Sequence, residues 1–138
     1  MGLYLCVFDQ DDDEIEGVEV GSYADFNYFR DTVVAAVEKG QAGSVCPVLI
    51  NHADSDGAWS PTEAAALLEE LKIIETVFSV NPPTDFNSPW KAEVAKTFGI
   101  TPRNLLDCFF DVDGEPLTGR LKELAEVAIA RNLSILFQ

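Results

Sequence analysis

The segment Ser60-Pro61-Thr62-Glu63 is the strongest local instruction in the chain. It places a hydroxyl at a helix cap, a proline at the first helical position, where its missing N–H costs nothing, and a glutamate at the third. Behind it, Ala64, Leu67, Leu68, Leu71, Ile74 and Phe78 recur at helical spacing. This predicts an amphipathic helix whose apolar stripe faces a sheet, with Glu69, Glu70, Lys72 and Glu75 turned to water. A helix so one-sided needs strands to lie on, and the remaining sequence must supply them.

Leu3 to Phe8 form an unbroken apolar run of strand length, and Val18 to Val20 resume strand character after a loop of Asp, Gln, Glu and Gly, predicting a hairpin with an acidic loop. Ser22 with Asp25 starts a second helix, on which Phe26, Phe29, Val33 and Val37 share a face and which Lys39-Gly40 closes. Val45 to Ile50 read as a buried strand. Asn81 to Pro89 hold three of the seven prolines and no periodicity, so they predict a surface loop. A short helix then runs from Trp90 to Phe98, stopped by Gly99. Cys108 to Val112 read as a strand, Pro116 opens a last helix through Ala128, and Leu133 to Phe137 end as a strand tied into the sheet.

Helices do not separate every strand, and the first pair is a hairpin. The fold class is therefore α+β: a mixed, mostly antiparallel sheet of five strands with three to four packed helices. A chain of 138 residues with 47% apolar residues suits a single domain over residues 1–138. At that size roughly two-thirds of the unfolded chain's surface can be buried, so the domain needs no metal clip or disulfide to fold. Cys6, Cys46 and Cys108 each lie in an apolar run and read as free thiols in the core.

Charge restricts the partners. The chain carries 24 Asp and Glu against 9 Lys and Arg, a net charge of −15. Such a surface repels phosphate backbones and anionic headgroups, which argues against direct binding of nucleic acid or membrane and for a basic partner. No apolar stretch is long enough to span a bilayer and the amino end lacks a secretion signal, so a cytoplasmic location is expected. Between residues 9 and 31, nine carboxylates face Arg30 alone, which is eight of the fifteen excess negative charges. The plain reading of this run is a hairpin loop kept solvated by charge. The functional reading is an imitation of nucleic-acid phosphates that enters a basic cleft, with steered association.

Two more acidic loops, Asp54-Ser55-Asp56-Gly57 and Asp111-Val112-Asp113-Gly114-Glu115, carry the Asp-x-Asp-Gly pattern of calcium loops. A calcium loop starting at Asp54 would need ligands or glycine where Ala58, Trp59 and Ala65 stand, and one starting at Asp111 meets Pro116 and Lys122. Turn formation explains both loops better. His52 is the only histidine, with no nucleophile elbow or phosphate-cradling loop beside it, so it reads as a hydrogen-bonded structural residue, and no cofactor is expected. Trp59 reads as a staple onto the following helix or as an exposed anchor for a partner.

Several blocks together resemble a known family: MGLYLCVFD at Met1 to Asp9, EGVEVGSYADF at Glu16 to Phe26, SDGAWSPTEAA at Ser55 to Ala65, DCFFDVDGEPL at Asp107 to Leu117, and the closing ILFQ. In this order they are similar to the immunity protein 70 family of bacterial polymorphic toxin systems. The resemblance implies a small cytoplasmic protein, encoded beside a toxin, that binds the toxin domain and blocks it without doing chemistry. It carries over no catalytic residue. Where the family often has an acidic residue before the tryptophan, this chain has Ala58, so no carboxylate role transfers there.

The resulting expectation is a stoichiometric inhibitor of a basic toxin domain, expected to be a nuclease, and not an enzyme. Its partner-binding residues are expected to be Asp11, Asp12, Asp13, Glu14, Glu16, Asp54, Asp56, Trp59, Asp111 and Asp113, with Tyr23 and Trp90 as further apolar candidates. The alternatives are a divalent-metal-dependent hydrolase using the aspartate loops and a chaperone of basic proteins.

Overall fold

The computed structural model describes residues 2–53, 55–86 and 88–138. Its sheet contains β1 (Gly2–Phe8), β2 (Glu14–Ser22), β3 (Ala58–Trp59) and β4 (Ile135–Phe137), and its helices are α1 (Tyr23–Ala36), α2 (Pro47–Ile50), α3 (Pro61–Ser79), α4 (Pro89–Phe98) and α5 (Leu117–Arg131). This is an α+β architecture.

The signal at Ser60 works as its chemistry requires. The Ser60 hydroxyl accepts from the Glu63 N–H at 3.1 Å, and the Glu63 carboxylate accepts from the Ser60 N–H at 2.9 Å. These bonds satisfy donors that a helix start leaves open. The stripe Ala64, Leu67, Leu71, Ile74 and Phe78 is fully buried. Ser22 caps α1 in the same manner, accepting from Asp25 N–H at 3.1 Å. That helix ends at Ala36, short of Lys39-Gly40, which instead form a turn with φ of 56° and 86°.

Among the described residues the sheet has four strands in the order β2-β1-β4-β3, every neighbouring pair antiparallel. The expected α+β class with a mostly antiparallel sheet holds, and the strand count is corrected from about five to four. The hairpin is longer than its sequence signal, because Glu14 to Gly17 also pair with β1 and leave only Asp9 to Asp13 as the loop. The last strand lies inside the sheet between β1 and β3. Helices α1 and α5 lie against β1 and β2, and α3 packs along α5. Leu3, Leu5, Val7, Val18 and Val20 enter that core, which Phe29, Phe78 and Phe109 fill with edge and tilted ring contacts of 5.2 to 6.1 Å.

Two expected strands take other forms. Val45 to Ile50 become a turn leading into α2, for a reason that lies elsewhere in the chain. Glu70 accepts from the N–H groups of Val48 and Leu49, both at 3.0 Å, while Glu38 accepts from those of Gly43, Val45 and Cys46 at 2.8–3.0 Å. Carboxylates thus take the donors that a strand would have given to a neighbour, and Pro47 has none to give. Glu70, expected in water, is only 6% exposed. Cys108 to Val112 form part of a single 3-10 turn (Leu106–Cys108) and then one bridge, Phe110 to Pro116. Cys6, Cys46 and Cys108 are free and buried. Among the described residues no helix is long and apolar enough to cross a membrane.

Candidate partner-binding face

The two best-defined acidic loops are built on one pattern. In the hairpin loop, Asp9 N–H donates to Asp13 O at 2.9 Å, and the Asp9 carboxylate accepts from the N–H groups of Asp11 and Asp13 at 2.8 and 2.9 Å. In the second loop, Asp111 N–H donates to Glu115 O at 2.9 Å, and the Asp111 carboxylate accepts from Asp113 and Glu115 at 2.9 and 3.0 Å. Each leading aspartate therefore organises the turn from inside. The others stand exposed: Asp11, Asp12 and Asp13 in the first loop, with Glu14 at the start of β2, and Asp113 and Glu115 in the second. Asp12 takes the left-handed conformation (φ 62°), which aspartate tolerates better than most residues.

β2 is an edge strand, and the second loop is fastened to it. Val112 N–H donates to Glu19 O at 3.2 Å. Arg120, on the first turns of α5, ties the same places together. Its Nη2 donates to Gly17 O at 2.9 Å, and the guanidinium lies 3.5 Å from both Glu16 and Asp111 and 2.8 Å from Glu123. Burial opposes its charge, but Glu123, Glu16 and Asp111 outweigh burial and hold its pKa above the ordinary value. One cation thus sits among three carboxylates, and the edge remains acidic. Its exposed carboxylates run from the hairpin loop along Glu14 and Glu19 to Asp113 and Glu115. Tyr4 donates to Glu14 at 2.8 Å, and burial together with that carboxylate pushes its phenol up to about 12.

Other expected site residues lie elsewhere. Asp56 is exposed but sits beside β3, at the opposite edge of the sheet from β2, about 14 Å away at the usual strand spacing. Asp54 lies outside the described residues. Asp111, expected among the partner contacts, is 2% exposed and serves as an internal brace, with its carboxylate engaged as above. Trp59, expected as a staple or an anchor, takes the buried form. It is 0% exposed, donates from Nε1 to Val48 O at 3.1 Å and meets the Phe137 ring edge-on at 4.7 Å, so it is core and not an anchor. Trp90 is half-buried and donates to Asp25 at 2.6 Å, and Tyr23 is partly buried against the core.

The residues that sequence reasoning missed are Asp9, Glu19, Glu115 and Arg120. Asp9 and Glu115 carried a signal, since each flanks an acidic turn. Arg120 carried none, because its partners Glu16 and Gly17 are about a hundred positions away in the chain.

The His52 ring nitrogens lie 2.8 Å from Ala53 O and 3.1 Å from Ala58 O, one of which takes the ring N–H, and the ring stacks on Phe137 at 4.1 Å. This ring holds the β3 loop onto the sheet. Among the described residues no group of three or more His, Cys, Asp and Glu side chains is placed to hold a metal ion. No observation favours the hydrolase alternative.

Compared with known families, residues 3–137 match the model described as immunity protein 70. Neither the curated proteins nor the solved structures give a match.

Proposed function

The chain belongs to the immunity protein 70 family, whose members are immunity proteins of toxin systems, and from that premise we propose that it neutralises a basic toxin domain by docking its β2 edge into a cationic cleft. The observation that carries the reading is the continuity of exposed carboxylates from Asp11, Asp12, Asp13 and Glu14 through Glu19 to Asp113 and Glu115. A nuclease cleft built for phosphates presents Lys and Arg to such an edge, and complementary fields speed encounter and fix orientation. The inhibitor needs no chemistry, since occupying the cleft denies it to nucleic acid. The same charge keeps this protein off DNA and RNA.

The test uses the toxin domain encoded beside this gene, carrying an inactivating substitution. Stopped-flow mixing is expected to give a tight complex whose association slows steeply between low and physiological salt. Replacing Asp11, Asp12 and Asp13 together by asparagine, which also tolerates the left-handed conformation at residue 12, is expected to slow association about tenfold or more at low salt. An association rate indifferent to both salt and this substitution removes the acidic edge from the mechanism. Failure of the wild-type protein to bind removes the inhibitor reading altogether.

A further inference from the structure

Charge steers, but apolar side chains seated in pockets supply most of the affinity at protein interfaces. The aromatic anchors expected on this chain do not stand out from it. Trp59 is core, and Trp90 and Tyr23 are half-buried. The chain instead presents a receptacle. A cavity of about 510 Å³ opens between the end of α4, the 3-10 turn and the start of α5, walled by Ile100, Leu106, Phe110, Pro116 and Gly119. Its wall also includes Gly114, so the loop that carries Asp113 and Glu115 on the acidic edge is at the same time a side of the cavity. Phe98 lies over Gly114 and is 56% exposed, an uncovered aromatic at the same place.

Gly119 adds an independent observation. It stands in the first turn of α5, where glycine weakens a helix relative to alanine. Its φ is not among the positive values, and a Cβ there would meet only Pro116 Cβ at 3.8 Å, an ordinary contact. Neither backbone conformation nor packing asks for glycine. What its missing side chain does is keep that wall of the cavity clear.

We infer that this cavity receives an apolar side chain of the toxin domain, carried on a basic segment whose Lys or Arg residues meet Asp113 and Glu115. The inference rests on the inhibitor reading above. The cavity's own charged walls are already paired, Arg103 with Asp107 at 3.2 Å and Glu75 with Lys122 at 2.7 Å, which leaves its interior to an apolar occupant. The exposed carboxylates nearby select the cationic flank.

Two substitutions fill the cavity from different walls: Gly119→Trp from the helix and Thr101→Trp from an exposed loop position. Calorimetry with the inactivated toxin domain at physiological salt is expected to show each variant binding about tenfold or more weakly, with unchanged circular dichroism. If Gly119→Trp fails to fold, Thr101→Trp decides alone. Folded variants that bind within about threefold of the wild type overturn the cavity while leaving the inhibitor reading intact. Absence of wild-type binding overturns both.

Discussion

Val112 donates its backbone N–H to the carbonyl of Glu19 at 3.2 Å, across 93 positions of sequence, and thereby seats an acidic turn against the edge of β2. Without that joint the hairpin loop and the second loop would be separate charged turns. With it, and with Arg120 between them, they belong to one edge.

Arg120 is therefore expected to matter for folding. Arg120→Ala leaves the buried Asp111 carboxylate without its cation and Gly17 O without its donor, at a cost of about 1–3 kcal/mol. Arg120→Lys recovers only part of this, because an ammonium cannot reach Glu123, Gly17, Glu16 and Asp111 at once as the guanidinium fork does. Urea unfolding of the two variants checks the order.

Glu70→Ala removes the acceptor for the N–H groups of Val48 and Leu49. Burial, with Glu38 nearby, raises the pKa of this carboxyl even though the two N–H donors oppose the rise, so its loss also relieves a desolvated charge. The unpaired donors prevail, with an expected net loss of about 1–3 kcal/mol. Hydrogen exchange should accelerate at Val48 and Leu49 well before it does in α3.

Stability is expected to fall above pH 9. Burial pushes the Cys46 thiol from 9.0 up to about 12, with Glu70 and Glu38 adding to the rise, so the folded state keeps a proton that the unfolded chain releases. A folded pKa above the unfolded value means stability held below pH 9 and lost progressively as pH rises towards 12. Cys6, Cys108 and Tyr4 act in the same direction. Lys91, whose pKa burial lowers despite Asp25, acts in the opposite one. Melting curves from pH 8 to 11 should show the decline, and Cys46→Ala should flatten it by up to about 1.4 kcal/mol per pH unit. An equally steep decline in that variant would contradict the assignment.

Ser60→Ala removes the hydroxyl half of the capping box and leaves the Glu63 N–H without its acceptor, while the backbone N–H of residue 60 stays available to the Glu63 carboxylate. The expected cost is about 1 kcal/mol, read as a lower urea midpoint with an unchanged slope.

The sequence was most legible where an element is specified by residues a few positions apart. The capping box at Ser60, the cap at Ser22, Gly99 in the left-handed conformation after α4 and the unbroken apolar run of β1 are all local chemistry. Reading failed where the decisive partner is distant. Val45 to Ile50 has the composition of a strand and becomes a helix turn because Glu38 and Glu70 claim its donors. For Trp59 the residues left two forms open, staple or anchor, and the pairing of β3 with the chain's last strand decided for the buried one.

The same division holds for function. The net charge, its crowding between residues 9 and 31, and the blocks that place the chain in its family can be read from the order of residues alone, because charge and short-range patterning are properties of the chain in any conformation. Which carboxylates face solvent, which are consumed as braces, and which of the acidic turns share an edge were decided only on folding. The Asp111 turn is local chemistry, but its joint to β2, the place of Asp56 at the far edge and the contacts of Arg120 depend on groups up to about a hundred positions apart, and nothing beside those residues encodes them.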